Sequence, residues 1–149
     1  FCAALLLSYL EKAPVPYFAE EYGSYAELAA PVPRAARPFR GRLVVLMDGG
    51  NFSTAGHFCA LLKMHGIGIL VGSETGGSFA CNAAIEQLHL DHTRLLQFIP
   101  TTTYLAAVTG MDRARGVLPD HLVRQHYQDF LAGKDTTMEF ALQLLEKGK

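Results

Sequence analysis

Ser53 is the residue of this 149-residue chain best placed to do chemistry. It follows the turn Asp48-Gly49-Gly50-Asn51 and opens a stretch of helical periodicity. In open α/β sheets, sites form beyond the carboxyl ends of strands, and a helix N-terminus offers unpaired N–H groups and a dipole that favours negative charge. Both suit the oxyanion of a tetrahedral intermediate. Gly49 and Gly50 carry no Cβ, so a substrate carbonyl can come close to the backbone there. The amide of Thr54, the residue after the serine, is the natural first oxyanion donor. On position alone an N-cap is the simpler reading of Ser53. The elbow GxSxG of α/β-hydrolases is absent, because Asn51-Phe52 precedes the serine and Thr54-Ala55 follows it. Asn51-Phe52-Ser53 also matches the glycosylation sequon, but a tight turn at a strand end is a poor acceptor.

A nucleophilic serine needs a base, and the histidines are His57, His65, His89, His92, His121 and His126. His57 stands one helical turn after Ser53, from where a side chain points poorly back at the start of its own helix. The remaining histidines show no zinc-ligand spacing and read as solvated or satisfied groups. Cys2, Cys59 and Cys81 form no CxxC pair, and an odd number cannot close into a framework made of disulfides alone. Cys59, inside His57-Phe-Cys-Ala-Leu-Leu62, reads as a small buried hydrophobe. Neither metal nor cofactor is called for.

The elements that would carry Ser53 are written in the apolar pattern. Gly41-Arg-Leu-Val-Val-Leu-Met47 reads as a strand buried on both faces. Phe58, Leu61 and Leu62 suit a helix over Ser53–Met64 packed on a sheet, with Gly66 as its stop. A second strand follows over Ile67–Val71. Strand, helix and strand in that order predict a parallel βαβ unit. Ile85–Leu90 and Leu95–Ile99, separated by Asp91-His-Thr93, predict a β-hairpin, and Thr101–Val108 offers one more strand. Thr136–Lys147 predicts a C-terminal helix capped by Asp135 or Thr136. Phe1–Leu10 predicts a helix ended by Pro14, and the segment from Pro14 to Pro38 reads as a long surface excursion with a short helix near Tyr25–Ala29.

Half of the residues are hydrophobic and the formal net charge is −1, which fits one compact domain with a core and gives no electrostatic footprint for nucleic acid. No apolar run approaches the roughly 18 residues of a membrane span. FCAALLLSYLEK lacks the initiating Met, basic flank and cleavage site of a signal peptide.

The segment RLVVLMDGGNFSTAGHFCALLKMHGIGILVGSETGG resembles the nucleophile region of the tail-specific (C-terminal processing) serine peptidases and of the related tricorn core. Two further landmarks lie in the order that family shows: Gly116-Val-Leu-Pro-Asp120, and Gly133-Lys-Asp135 ahead of a helix ending Leu-Leu-Glu-Lys147. The resemblance covers nearly the whole chain. It implies an α/β fold of the ClpP/crotonase type, an acyl-enzyme mechanism and peptide or protein substrates. It also implies an extracytoplasmic setting such as the bacterial envelope. It assigns Ser53 as nucleophile, the Thr54 amide to the oxyanion hole, and Gly76 and Gly77 to a substrate-facing loop, beside the Gly49 and Gly50 of the turn where a substrate carbonyl can approach.

Departures from the family pattern bear on the base. The branch with a Ser-Lys dyad has its lysine twenty-five residues after the serine, where this chain has Ser78, so a dyad is excluded. Tricorn-like members use an upstream histidine and a glutamate shortly before Gly-Val-x-Pro-Asp. Arg113 occupies the position of that glutamate, which leaves the adjacent Asp112 as the acid that could orient a base. Gly56 replaces a common glutamate. The chain is therefore expected to be the C-terminal part of a catalytic domain, residues 1–149, with the base and second oxyanion donor upstream of Phe1, and to be inactive by itself. Two rivals remain: a non-catalytic ligand- or peptide-binding module on the same fold, and an acyl-thioester enzyme by analogy of fold.

Overall fold

The computed structural model describes residues 2–147. The chain runs through α1 (Cys2–Leu10), a 3-10 segment (Gly23–Ala29), β1 (Val44–Met47), α2 (Thr54–Met64), β2 (Ile69–Gly72), β3 (Ala80–His89), β4 (Leu96–Leu105), β5 (His121–Leu122), α3 (Tyr127–Leu131) and α4 (Thr136–Lys147). Three strands form a parallel sheet in the order β1-β2-β5. Val44 stands opposite Ile69 and Met47 opposite Gly72, so the carboxyl ends of β1 and β2 lie level. The βαβ unit is thus present, and α2 carries the crossover between its parallel strands. The buried side chains of α2, Cys59, Ala60, Leu61 and Leu62, meet Leu7 of α1 and Leu70 of β2 in the core. Helix α4 packs against β1 and β2. Asp135 is its cap, accepting from the Met138 amide at 2.9 Å.

The hairpin is longer than its apolar pattern suggests. β3 and β4 are ten residues each, paired from Ala80 opposite Leu105 to His89 opposite Leu96, so most of the expected extra strand over Thr101–Val108 is the second half of β4. Alternation alone could not show this, because Pro100 interrupts the apolar pattern without breaking the ladder. It sits opposite Ile85 in an edge strand, where a missing N–H is tolerated.

The segment from Pro14 to Pro38 is not a surface excursion throughout. Tyr17, Phe18 and Leu28 are buried core residues, and isolated bridges join Pro16 to Pro31 and Phe18 to Ala106. The amides of Tyr17 and Phe18 both donate to the Leu28 carbonyl at 2.9 Å. Phe18, Tyr22 and Tyr104 then stack edge-on or tilted, with centroids 4.8–5.6 Å apart. Burial of these rings against β4 gives an irregular segment a fixed place. No described helix is long and apolar enough to cross a membrane.

Gly116-Val-Leu-Pro-Asp120 is a brace for the sheet. The Val117 amide donates to Thr75 Oγ1 at 2.7 Å, and the Thr75 amide donates to the Val117 carbonyl at 3.1 Å. Asp120 receives the Leu70 amide at 2.8 Å and pairs with Lys63 of α2. Partial burial works against the charge on Asp120, but the Lys63 ammonium and the Leu70 amide together hold its carboxyl below the usual range.

Candidate active site

Ser53 joins β1 to α2 through a turn that closes on itself. Asp48 Oδ1 accepts from the Gly50 amide and Asn51 Oδ1 from the Asp48 amide, both at 2.8 Å, while the Asn51 amide returns to the Asp48 carbonyl at 3.0 Å. Short polar side chains that bond their own backbone are what such turns select. The chain then leaves Phe52 exposed and takes Ser53 to φ 55°, ψ −128°. That conformation strains a residue with a Cβ by about 1–3 kcal/mol.

The backbone at Ser53 overturns the helix-cap reading. An N-cap side chain reaches its helix from the extended region. Ser53 is outside that region, and its hydroxyl makes no capping hydrogen bond. Oγ instead accepts from the Cys81 thiol of β3 at 3.2 Å. Acceptance from a thiol leaves the hydroxyl proton available for transfer to a base. A strained serine on a sharp strand-to-helix turn is the geometry that GxSxG encodes in α/β-hydrolases, reached here through a different sequence. Thr54 is the exposed first residue of α2, so its N–H has no acceptor within the helix.

The glycine-rich loop after β2 presses against this turn. A Cβ at Gly76 would stand 2.2 Å from the Gly49 carbonyl oxygen, and one at Gly77 would stand 2.8 Å from Phe52 Cα. The Gly77 amide donates to the Asn51 carbonyl at 3.0 Å. Gly56 of α2 meets the same loop, and a Cβ there would lie 2.9 Å from the Ser78 carbonyl oxygen. A glutamate at position 56 has no room in this packing. The loop therefore supports the turn from below, and Ser78 bonds only its neighbour Ala80 among the contacts described.

Ser53 and Thr54 line one end of a cavity of about 340 Å³. Its walls come from α1, the Tyr17–Leu28 segment, His57, and Cys81, Ala83, Ala84 and Tyr104 of the ribbon. None of the lining residues carries a formal charge unless His57 is protonated. Burial pushes the His57 imidazole below its ordinary value, which keeps it neutral, although its bond to the Tyr104 backbone works the other way. Gly49, Gly50, Gly76 and Gly77 do not line this cavity. Asp112 is not brought to Ser53 either. It is exposed in a loop, caps the Ala114 amide at 2.8 Å and lines a separate cavity with Lys63 and Arg115. Cys81 is the contact that sequence reasoning missed. Only the register of β3 brings its thiol to Ser53. Cys59 is buried, and desolvation raises its thiol above the ordinary value.

The peptidase family S41 model matches residues 2–123 of the chain. The chain belongs to peptidase family S41. Two solved structures share the fold of this S41 chain. A candidate peptidase from Parabacteroides merdae superposes with a TM-score of 0.67 at 17% identity, over 96% of this chain and 46% of that one. The tricorn protease superposes with a TM-score of 0.57 at 22% identity, over 99% of this chain and 14% of that one. The S41 chain thus spans less than half the length of either. No curated protein matches it. The mixed α/β core with a parallel sheet and an antiparallel ribbon is the fold these structures share, as the resemblance of the motifs implies.

Proposed function

We propose that this S41 chain supplies the nucleophile half of a serine peptidase active site that acts on peptide or protein substrates. Ser53 Oγ bonds to the scissile carbonyl carbon as its proton passes to a base. The Thr54 N–H receives the oxyanion, and the C–N bond breaks as the proton reaches the leaving amine. Water then hydrolyses the acyl-enzyme. The observation that carries this reading is the strained backbone of Ser53 at the mouth of an uncharged cavity. Strain of this kind persists only where surrounding structure enforces it, and it clusters at reactive sites.

This chain is read as the C-terminal part of a larger catalytic domain, whose base comes from residues upstream of these 149. His57 lines the cavity but sits one turn along α2, and its amide donates to the Ser53 carbonyl at 3.0 Å while no described bond joins its ring to Ser53 Oγ. On this reading the 149 residues alone do not turn over substrate. In the full-length protein, Ser53→Ala is expected to lower peptide hydrolysis by at least roughly a thousandfold. A Ser53→Ala protein that keeps its rate would sink the proposal.

A second reading, a non-catalytic binding module, draws on one observation. The partner of Ser53 Oγ is a thiol, and the cavity beside it is apolar enough to hold a ligand without reaction. It predicts saturable peptide binding by full-length protein with no product formed.

A further inference from the structure

Among the described residues, one side chain hydrogen-bonds Ser53 Oγ, and it comes from the ribbon. Cys81 Sγ stands 3.2 Å away on β3. Ser78, at the position where the dyad branch of the family has its lysine, bonds Ala80 instead. Cys81 is half-buried and held from across the ribbon. It pairs with Tyr104, whose ring packs on Phe18 and Tyr22 with centroids 5.6 and 4.8 Å away. The thiol has a single proton and two acceptors in reach. Ser53 Oγ is the nearer, since the Asn82 carbonyl oxygen lies at 3.7 Å.

We propose that Cys81 is a catalytic residue, whose thiol donates to Ser53 Oγ through the transition state of attack and takes up part of the charge that the departing proton leaves. The inference rests on Ser53 being the nucleophile. As the base draws off the hydroxyl proton, Oγ gains negative charge before its bond to the scissile carbon is complete. A hydrogen bond strengthens when its acceptor becomes charged. The thiol therefore stabilises the transition state more than the resting enzyme, which is the condition for a faster chemical step. The same bond meets Oγ again when the acyl-enzyme is hydrolysed and the serine oxygen leaves. No proton passes from sulfur at either stage. The hydroxyl proton goes to the base and on to the leaving amine, and Cys81 ends as it began. The bond also fixes the direction of Oγ, which no helix-capping bond holds. Because S–H is a weak donor, it restrains Oγ at rest without claiming much of its electron density.

The test compares two variants of the full-length protein: Cys81→Ala, which removes the donor, and Cys81→Ser, which keeps one of nearly the same size. Cys81→Ala should lose about fivefold in kcat, the worth of one hydrogen bond, with KM little changed. Cys81→Ser should restore the rate to within about twofold of the unmodified protein. The rate at which a fluorophosphonate labels Ser53 should fall and recover in the same order, because it depends on Oγ and not on the fit of a peptide. Should Cys81→Ala fail to fold, Cys81→Thr against Cys81→Val makes the same comparison, since the two differ by one hydroxyl and β-branched residues suit a strand. An unchanged kcat in the variant without a donor overturns the proposal. A loss that the hydroxyl variant does not repair overturns it too, and is the result expected of a thiolate base or of a sulfur that serves packing alone. Labelling of Ser53 that proceeds at one rate with and without the donor defeats Cys81 alone. Absence of labelling in the unmodified protein defeats the nucleophile and Cys81 together.

Discussion

Replacing Ser53 by glycine should stabilise the fold while abolishing its chemistry. Ser53 holds φ 55° and ψ −128°, where a Cβ costs about 1–3 kcal/mol and glycine costs little. Glycine in turn gives the unfolded chain more freedom, worth about 0.4–1 kcal/mol against folding. Ser53→Ala is the matched control, because it also deletes the Cys81 hydrogen bond but keeps the Cβ and the strain. The difference between the variants isolates the backbone term, about 1 kcal/mol in favour of glycine. In thermal unfolding of the full-length protein this corresponds to roughly 2 °C or more in Tm. Urea titration of the same pair should show the shift in midpoint with no change in slope. If the glycine variant is no more stable than the alanine variant, Ser53 is not held in a strained conformation. Backbone strain would then no longer mark Ser53 as the nucleophile.

Two further outcomes test the support around the turn. Gly76→Ala should destabilise by about 2 kcal/mol or more in urea unfolding, since its Cβ would be 2.2 Å from a backbone oxygen that cannot swing away. If it folds, displacement of the 49–53 turn should slow hydrolysis by about a hundredfold. Asp120 has its carboxyl held below the usual range, so its contribution to stability is present above about pH 3.9, the unfolded value, and is lost as pH falls through the lower folded value. Unfolding followed from pH 5 to 2 should therefore show a loss of stability that is smaller in Asp120→Asn. An unchanged slope would remove the Lys63–Asp120 brace from the account.

The parallel βαβ unit and the C-terminal helix were legible because each rests on a local pattern. Leu43–Met47 and Ile67–Val71 are continuous apolar runs, and Asp135 stands in the capping position before a periodic helix. The burial of Tyr17 and Phe18 was not legible, because an irregular segment takes its place from a long-range bridge to Ala106 and not from any period of its own. The two-residue β5 and the short α3 lie below the length at which periodicity has meaning. Ser53 was singled out by its position between strand and helix. What holds it, a positive φ, the pressure of Gly76 and Gly77, and the thiol of Cys81, depends on loop packing and strand register that residue types do not reveal. Asp112 shows the converse. Nearness in sequence to Gly116-Val-Leu-Pro-Asp120 suggested a part in the site, yet its carboxylate serves its own loop.

The central claim, that Ser53 is the nucleophile, is tested most directly by treating full-length protein with a fluorophosphonate and mapping the adduct by peptide mass spectrometry. The account predicts a single phosphonylated peptide containing Ser53, absent from Ser53→Ala and slowed when a cleavable peptide competes. An adduct on another residue, or unmodified Ser53 in a preparation that hydrolyses peptide, would contradict it.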